Sequence, residues 1–163
     1  MKIYLGSPID TSKSKDPGGH FEDLAQICRD AFGETPFVAY NPMTAFRIHD
    51  RGANPSDLAI GDYLNCVNNQ ALKNSDIGVF YLDDSPSFGV PVEIFQSSQE
   101  YCHPTFVWWA SKKRRPGYLI KALDNLVLVR NDSDLRDSLA EFVASFVNPQ
   151  PHNPTSHVPS RRL

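Results

Sequence analysis

A chain of 163 residues is the size of one domain, and 19 acidic against 16 basic side chains give a formal charge of −3, too mild to imply a nucleic-acid or membrane-surface partner. Its three cysteines, Cys28, Cys66 and Cys102, are odd in number and widely spaced, which argues against a disulfide framework or a zinc knuckle and fits a reducing cytoplasm. The opening MKIYLGSP lacks the long apolar stretch of a secretory leader, and no run approaches the ~18 apolar residues of a membrane span.

Ile3 to Leu5 predicts a short buried strand, stopped by Gly6, Ser7 and Pro8. Phe21, Leu24, Ala25, Cys28, Ala31 and Phe32 recur at helical spacing, and Gly33 supplies the stop. Pro36 to Tyr40 reads as a second strand. Asn41 to Pro55 is then a long loop carrying Arg47, His49 and Asp50, of a length typical of functional or disordered segments. Ile60, Leu64, Val67 and Ala71 mark a second helix, and Asp76 to Leu82 contains the buried-strand run IGVFYL. Val92 to Tyr101 predicts the third helix, Thr105 to Trp109 and Leu126 to Arg130 two more strands. Leu135, Leu139, Phe142, Val143 and Phe146 space out a final helix, with Ser133 as its cap.

Strands alternating with helices require crossover connections, so the fold class is α/β: a flavodoxin-like three-layer sandwich with a five-stranded parallel sheet. Ligands of such sheets settle beyond the carboxyl ends of the strands, which singles out the loops Gly6 to Pro17, Asn41 to Pro55 and Asp83 to Pro91. Residues 1–147 form the domain; 148–163, rich in proline and without apolar period, read as a flexible tail.

The segment PSFGVPVE poses the functional question, because Glu93 lies just past a strand end where a helix begins. In a first helical turn, backbone N–H groups and the helix dipole favour an ionised carboxylate. Two readings are open at this point. Glu93 is an ordinary helix-start acid, or it is a nucleophile that attacks an anomeric carbon to give a glycosyl ester, later resolved by an acceptor.

IYLGSP, NNQALKNSDIGVFYLDD and PSFGVPVEIFQSSQEYCHPTFVW, together covering about residues 2 to 109, resemble the nucleoside 2-deoxyribosyltransferase family. The resemblance implies that Glu93 is the nucleophile taking the deoxyribosyl group and that Tyr4 orients it by hydrogen bonding. Family members acting on free nucleosides carry an aspartate six residues before the nucleophile, holding the 5′-hydroxyl; here that residue is Ser87. A hydroxyl with the N–H groups of Phe88 and Gly89 suits a phosphate, which a carboxylate would repel. PSFGVxxE is thus similar to the 2′-deoxynucleoside 5′-monophosphate N-glycosidase branch, a similarity that also makes Ser7 a phosphate contact. Ser87 also suits a helix cap or a turn among prolines.

The same resemblance places an aspartate eight residues before Asp76, where it meets the substrate and protonates the leaving base; here the residue is Asn68, which hydrogen-bonds but supplies no proton. Asp62, expected on much the same helix face, and His49 or Asp50 from the long loop are the substitutes, against the plainer reading that each is simply solvated. SKKRRP, residues 111 to 116, with Arg114 and Arg115, reads as a solvated basic loop; by resemblance, Lys112 to Tyr118 is a segment closing the pocket of a partner in a homodimer. Phe46 and Phe88 are candidates for base stacking, whereas Trp108 and Trp109 are expected to pack under the sheet.

The sequence therefore predicts a cytoplasmic enzyme, needing no metal or organic cofactor, that cleaves the N-glycosidic bond of a 2′-deoxynucleoside 5′-monophosphate with water as acceptor. Transfer of deoxyribose between bases, a TIR-like NAD glycohydrolase, and a non-catalytic nucleotide sensor are the alternatives. No nucleic-acid or membrane partner is expected.

Overall fold

A computed structural model describes residues 1–8, 19–44, 58–85, 89–112 and 123–147, with the backbone alone for 58–64. Five strands, β1 (Lys2–Gly6), β2 (Val38–Tyr40), β3 (Ile77–Leu82), β4 (Thr105–Trp109) and β5 (Leu126–Val129), pair in the order β2-β1-β3-β4-β5. Every pairing is parallel. The longer helices are α1 (Gly19–Phe32), α2 (Leu58–Lys73), α3 (Gly89–Phe95), continued by a π-helical turn over Gln96–Glu100, and α4 (Asp132–Val147). This is the predicted sandwich. Among the described residues no helix is long and apolar enough to cross a membrane.

Strand alternation sorts the core into two layers. Ile3, Leu5, Ile77, Val79, Tyr81, Phe106 and Val129 face α1 and α4, meeting Phe21, Leu24, Cys28, Phe32, Leu135, Leu139 and Val143. The helical residues of that layer recur every three or four positions, so each helix presents one continuous apolar stripe. Tyr4, Phe80, Leu82, Val107 and Trp109 face the other way, onto Leu72 of α2 and Val90 and Ile94 of α3. β3 is buried along its whole length, as expected for a strand covered on both faces. Trp109 belongs to the second layer and Trp108 packs against the first, edge-on to Tyr81, so both tryptophans are packing residues.

The helix ends show local chemistry at work. Gly33 adopts φ +53° and its N–H bonds the carbonyl of Arg29 at 3.1 Å, closing α1 where a side chain would be strained. The cap of α4 is Asn131 rather than Ser133: Asn131 Oδ1 accepts the N–H of Asp134 at 2.8 Å, while Ser133, already inside the helix, donates its hydroxyl to the same oxygen. Asn reaches the third N–H of the helix from the capping position, and serine two residues later does not.

A second correction concerns α3, which starts at Gly89 and not at Val92. Pro91 therefore sits in its first turn, where a missing N–H costs nothing because that donor would be unpaired. The π-helical turn after Phe95 brings Ser97 and Ser98 into buried positions; Ser97 Oγ pairs with Thr105 Oγ1 at 2.9 Å and Ser98 Oγ bonds the carbonyl of Asp124.

Candidate active site

The order β2-β1-β3 places the reversal of sheet winding between β1 and β3, and it is beyond the carboxyl ends at such a point that ligands of open parallel sheets bind. Tyr4, in β1, projects toward the α2 and α3 layer. Its hydroxyl donates to Glu93 Oε1 of α3 at 2.8 Å, across 89 residues of sequence. Oε2 of Glu93 makes no hydrogen bond among the described residues.

Small and aromatic neighbours fix this pair. Gly6 is registered opposite Phe80. A β-carbon at Gly6 would stand 2.3 Å from the Phe80 ring and 3.3 Å from Glu93 Oε2, so glycine is what lets the ring and the carboxylate reach the strand end together. The Tyr4 ring stacks on Tyr40 at 5.6 Å and 20°, and tilts against Phe80 at 6.0 Å. Held on two sides, the phenol has little freedom to turn away from the carboxylate.

Electrostatics assign the protonation roles. Burial, then the nearby Glu93 charge, pushes the Tyr4 phenol far above its ordinary range, so it remains a neutral donor at any working pH. Burial also raises the Glu93 carboxyl, and the hydrogen bond from Tyr4 works in the opposite direction by favouring the ionised form. The expected dipole argument is corrected here. Glu93 is the fifth residue of α3, beyond the first turn, and the Tyr4 hydroxyl rather than the helix start favours its charge.

Ser7 follows directly on β1 and is 4% exposed, with its Oγ buried and unpartnered among the described residues. Asn68 lies on α2, and its Oδ1 accepts the Tyr40 hydroxyl at 2.8 Å. Tyr40 is the registered neighbour of Tyr4, so Asn68 joins the Glu93 cluster through two stacked phenols. Tyr101 donates to Asn69 Oδ1 at 2.6 Å and ties the end of the π-helical turn to α2.

Gly89 is exposed at the start of α3, with open space where a β-carbon would stand. Ser87, Phe88, His49, Asp50, Phe46, Arg114 and Arg115 lie outside the described residues, as does the tail 148–163. Asp62 falls within α2, described there by its backbone alone. Six residues of α-helix turn through roughly 600°, so position 62 is about a third of a turn from position 68 and does not share its face, contrary to the expectation. Tyr40 and Phe80 are the members of the cluster that the sequence analysis did not assign. The strand order would have found Tyr40, since it ends the strand beside the one carrying Tyr4.

The sequence matches no protein-family model and no curated protein. Solved structures do match the fold. A 2-deoxyribosyltransferase from the psychrotolerant bacterium Bacillus psychrosaccharolyticus aligns with TM-score 0.64 at 15% identity, over 85% of this chain and 96% of that one. The CMP N-glycosidase of Clostridium botulinum aligns with TM-score 0.53 at 14% identity, over 85% and 98%. A conserved protein from Enterococcus faecalis V583 gives TM-score 0.61 at 18% identity, over 87% and 98%. The chain thus has the α/β fold of the 2-deoxyribosyltransferases across most of its length.

Proposed function

We propose that the protein is an N-glycosidase acting on 2′-deoxynucleoside 5′-monophosphates. The observation that carries this reading is the 2.8 Å hydrogen bond from Tyr4 Oη to Glu93 Oε1 at the switch point of the sheet. A carboxylate oriented through one oxygen, with the other making no hydrogen bond among the described residues, suits a glycosidic nucleophile. Glu93 Oε2 attacks C1′ of the sugar; the C1′–N bond breaks and its electron pair leaves on the base nitrogen. A water molecule then attacks C1′, the ester bond to Glu93 breaks, the water proton passes to solvent, and 2-deoxyribose 5-phosphate is released. The dry Ser7 hydroxyl supports a 5′-phosphate contact, with Ser87, Phe88 and Gly89 as its proposed companions. Both enzymes named among the structural neighbours act on N-glycosidic bonds of nucleosides or nucleotides, which supports the same chemistry here.

Transfer of the deoxyribosyl group to a second base is the other reading. It is supported by the 2-deoxyribosyltransferase among the structures of similar fold, and it differs only in what resolves the ester. Chromatography of the common deoxynucleosides and their 5′-monophosphates, each with and without a second free base, tests both. Base and sugar phosphate released from monophosphates alone is the expected result. New nucleosides formed only when a second base is present would establish transfer, and turnover of NAD but of no deoxynucleotide would overturn both readings.

A further inference from the structure

The cluster contains a polar side chain whose orientation is set by something other than the substrate. An asparagine amide has one acceptor oxygen and one NH2 donor group. The Tyr40 hydroxyl donates to Oδ1 of Asn68, which turns that oxygen toward Tyr40, and Nδ2 has no partner among the described residues. Tyr40 cannot swing freely, because its ring is stacked on Tyr4 and the two residues are register partners on adjacent parallel strands. Tyr4 is in turn bound to Glu93. The half-buried Asn68 amide is therefore linked to Glu93 through Tyr40 and Tyr4, with its orientation set by a phenol that the sheet itself positions and its NH2 group left to donate.

We infer that Tyr40 is a positioning residue that locks Asn68 as a donor to the departing base, so that the leaving group is stabilised by hydrogen bonding and not by proton transfer. This rests on the glycosidase reading above. When C1′–N breaks, the electron pair arriving on the base spreads to whichever acceptor is conjugated with the glycosidic nitrogen: a carbonyl oxygen in pyrimidines, a ring nitrogen in purines. An N–H aimed at that atom bonds more strongly as charge grows, which lowers the barrier. Asn68 keeps its proton throughout, and the released base takes one from water. The preferred substrates are those whose base carries an unprotonated acceptor at that position.

The experiment compares wild type, N68A, N68D, Y40F and Y40F/N68A on the 5′-monophosphates of deoxyadenosine, deoxyguanosine, deoxycytidine and thymidine. N68A should lower kcat about 10- to 100-fold with a much smaller change in KM, as expected for a bond that strengthens only in the transition state. Y40F, which keeps the stacked ring, should lower kcat by about three- to tenfold, and should add nothing in the N68A background. N68D, of nearly the same shape, should gain a fall in activity with rising pH that the wild type lacks, because only the protonated acid can donate. Wild-type kcat in N68A, an unchanged profile in N68D, or a Y40F effect that persists undiminished in N68A would each overturn the inference while leaving the glycosidase reading intact. A wild-type protein inert on every monophosphate would overturn that reading and this inference with it.

Discussion

Replacing Glu93 by alanine should reduce base release by at least about a thousandfold, since the variant loses the atom proposed to form the ester. The fold should tolerate the change, and the same residue makes a stability prediction of the opposite sign. Burial raises the folded-state pKa of Glu93 above its unfolded value, so between those two values the folded protein holds more protons than the unfolded chain. Stability contributed by this group is complete below the unfolded pKa and declines as pH rises through the folded one. Glu93→Gln, which keeps a partner for the Tyr4 hydroxyl without the buried charge, should therefore be more stable than wild type at neutral pH. That advantage should vanish at pH values below the ordinary glutamate range. Thermal melts of both proteins across pH, alongside a base-release assay, check the two halves together.

Tyr4→Phe carries the second large effect. Its hydroxyl lowers the Glu93 pKa against the upward push of burial, so its loss leaves the carboxyl higher still. In the proposed mechanism attack needs the ionised form, so kcat/KM should rise with pH through the Glu93 pKa before levelling. The variant should show that rise displaced to higher pH. A hydrogen bond to a charged group contributes about 1.5–3 kcal/mol, which corresponds to a displacement of roughly one to two pH units. Below the wild-type pKa the variant should be slower by about 10- to 100-fold, and the deficit should shrink on the alkaline side to whatever orientation alone contributes. A profile lowered uniformly, with its inflection unmoved, would mean that Tyr4 does not influence Glu93 ionisation.

Strands were legible because their burial is continuous. IGVFYL is apolar at every position and the structure buries all six residues, whereas Pro36 and Phe37, read as part of β2, precede a strand of only three residues, Val38–Tyr40. The stripes of α1 and α4 were equally plain, since Leu24 and Cys28, or Leu135 and Leu139, repeat at four-residue intervals and are buried together. Helix starts were less so. Pro91 looks like a barrier, yet in a first turn it is neutral, and this is why α3 begins three residues before the expected Val92. The π-helical turn has no local signal; it follows from the need to bring Ser97 and Ser98 to partners at Thr105 and Asp124, eight and 26 residues away in sequence.

The candidate site divides the same way. Pairing of Glu93 with Tyr4 was implied by resemblance, and the hydrogen bond between them is present. What favours the charge was misassigned, because a helix-dipole argument depends on the exact turn and the turn was wrong by one. Tyr40 was missed for a different reason: its role exists only once β2 and β1 lie side by side and Asn68 arrives from α2. A residue acting through two neighbours from two other elements leaves no mark in its own sequence environment.

The central claim is a covalent bond between Glu93 and C1′ of a deoxy sugar. Incubation with a 2-deoxy-2-fluoro analogue of the nucleoside 5′-monophosphate, whose fluorine slows hydrolysis of the ester, followed by proteolysis and peptide mass spectrometry, reads that bond directly. The account predicts an added sugar phosphate on the peptide containing Glu93, absent from Glu93→Ala. Base release from the natural monophosphate with no adduct on Glu93, or with the sugar attached to another residue, would contradict it.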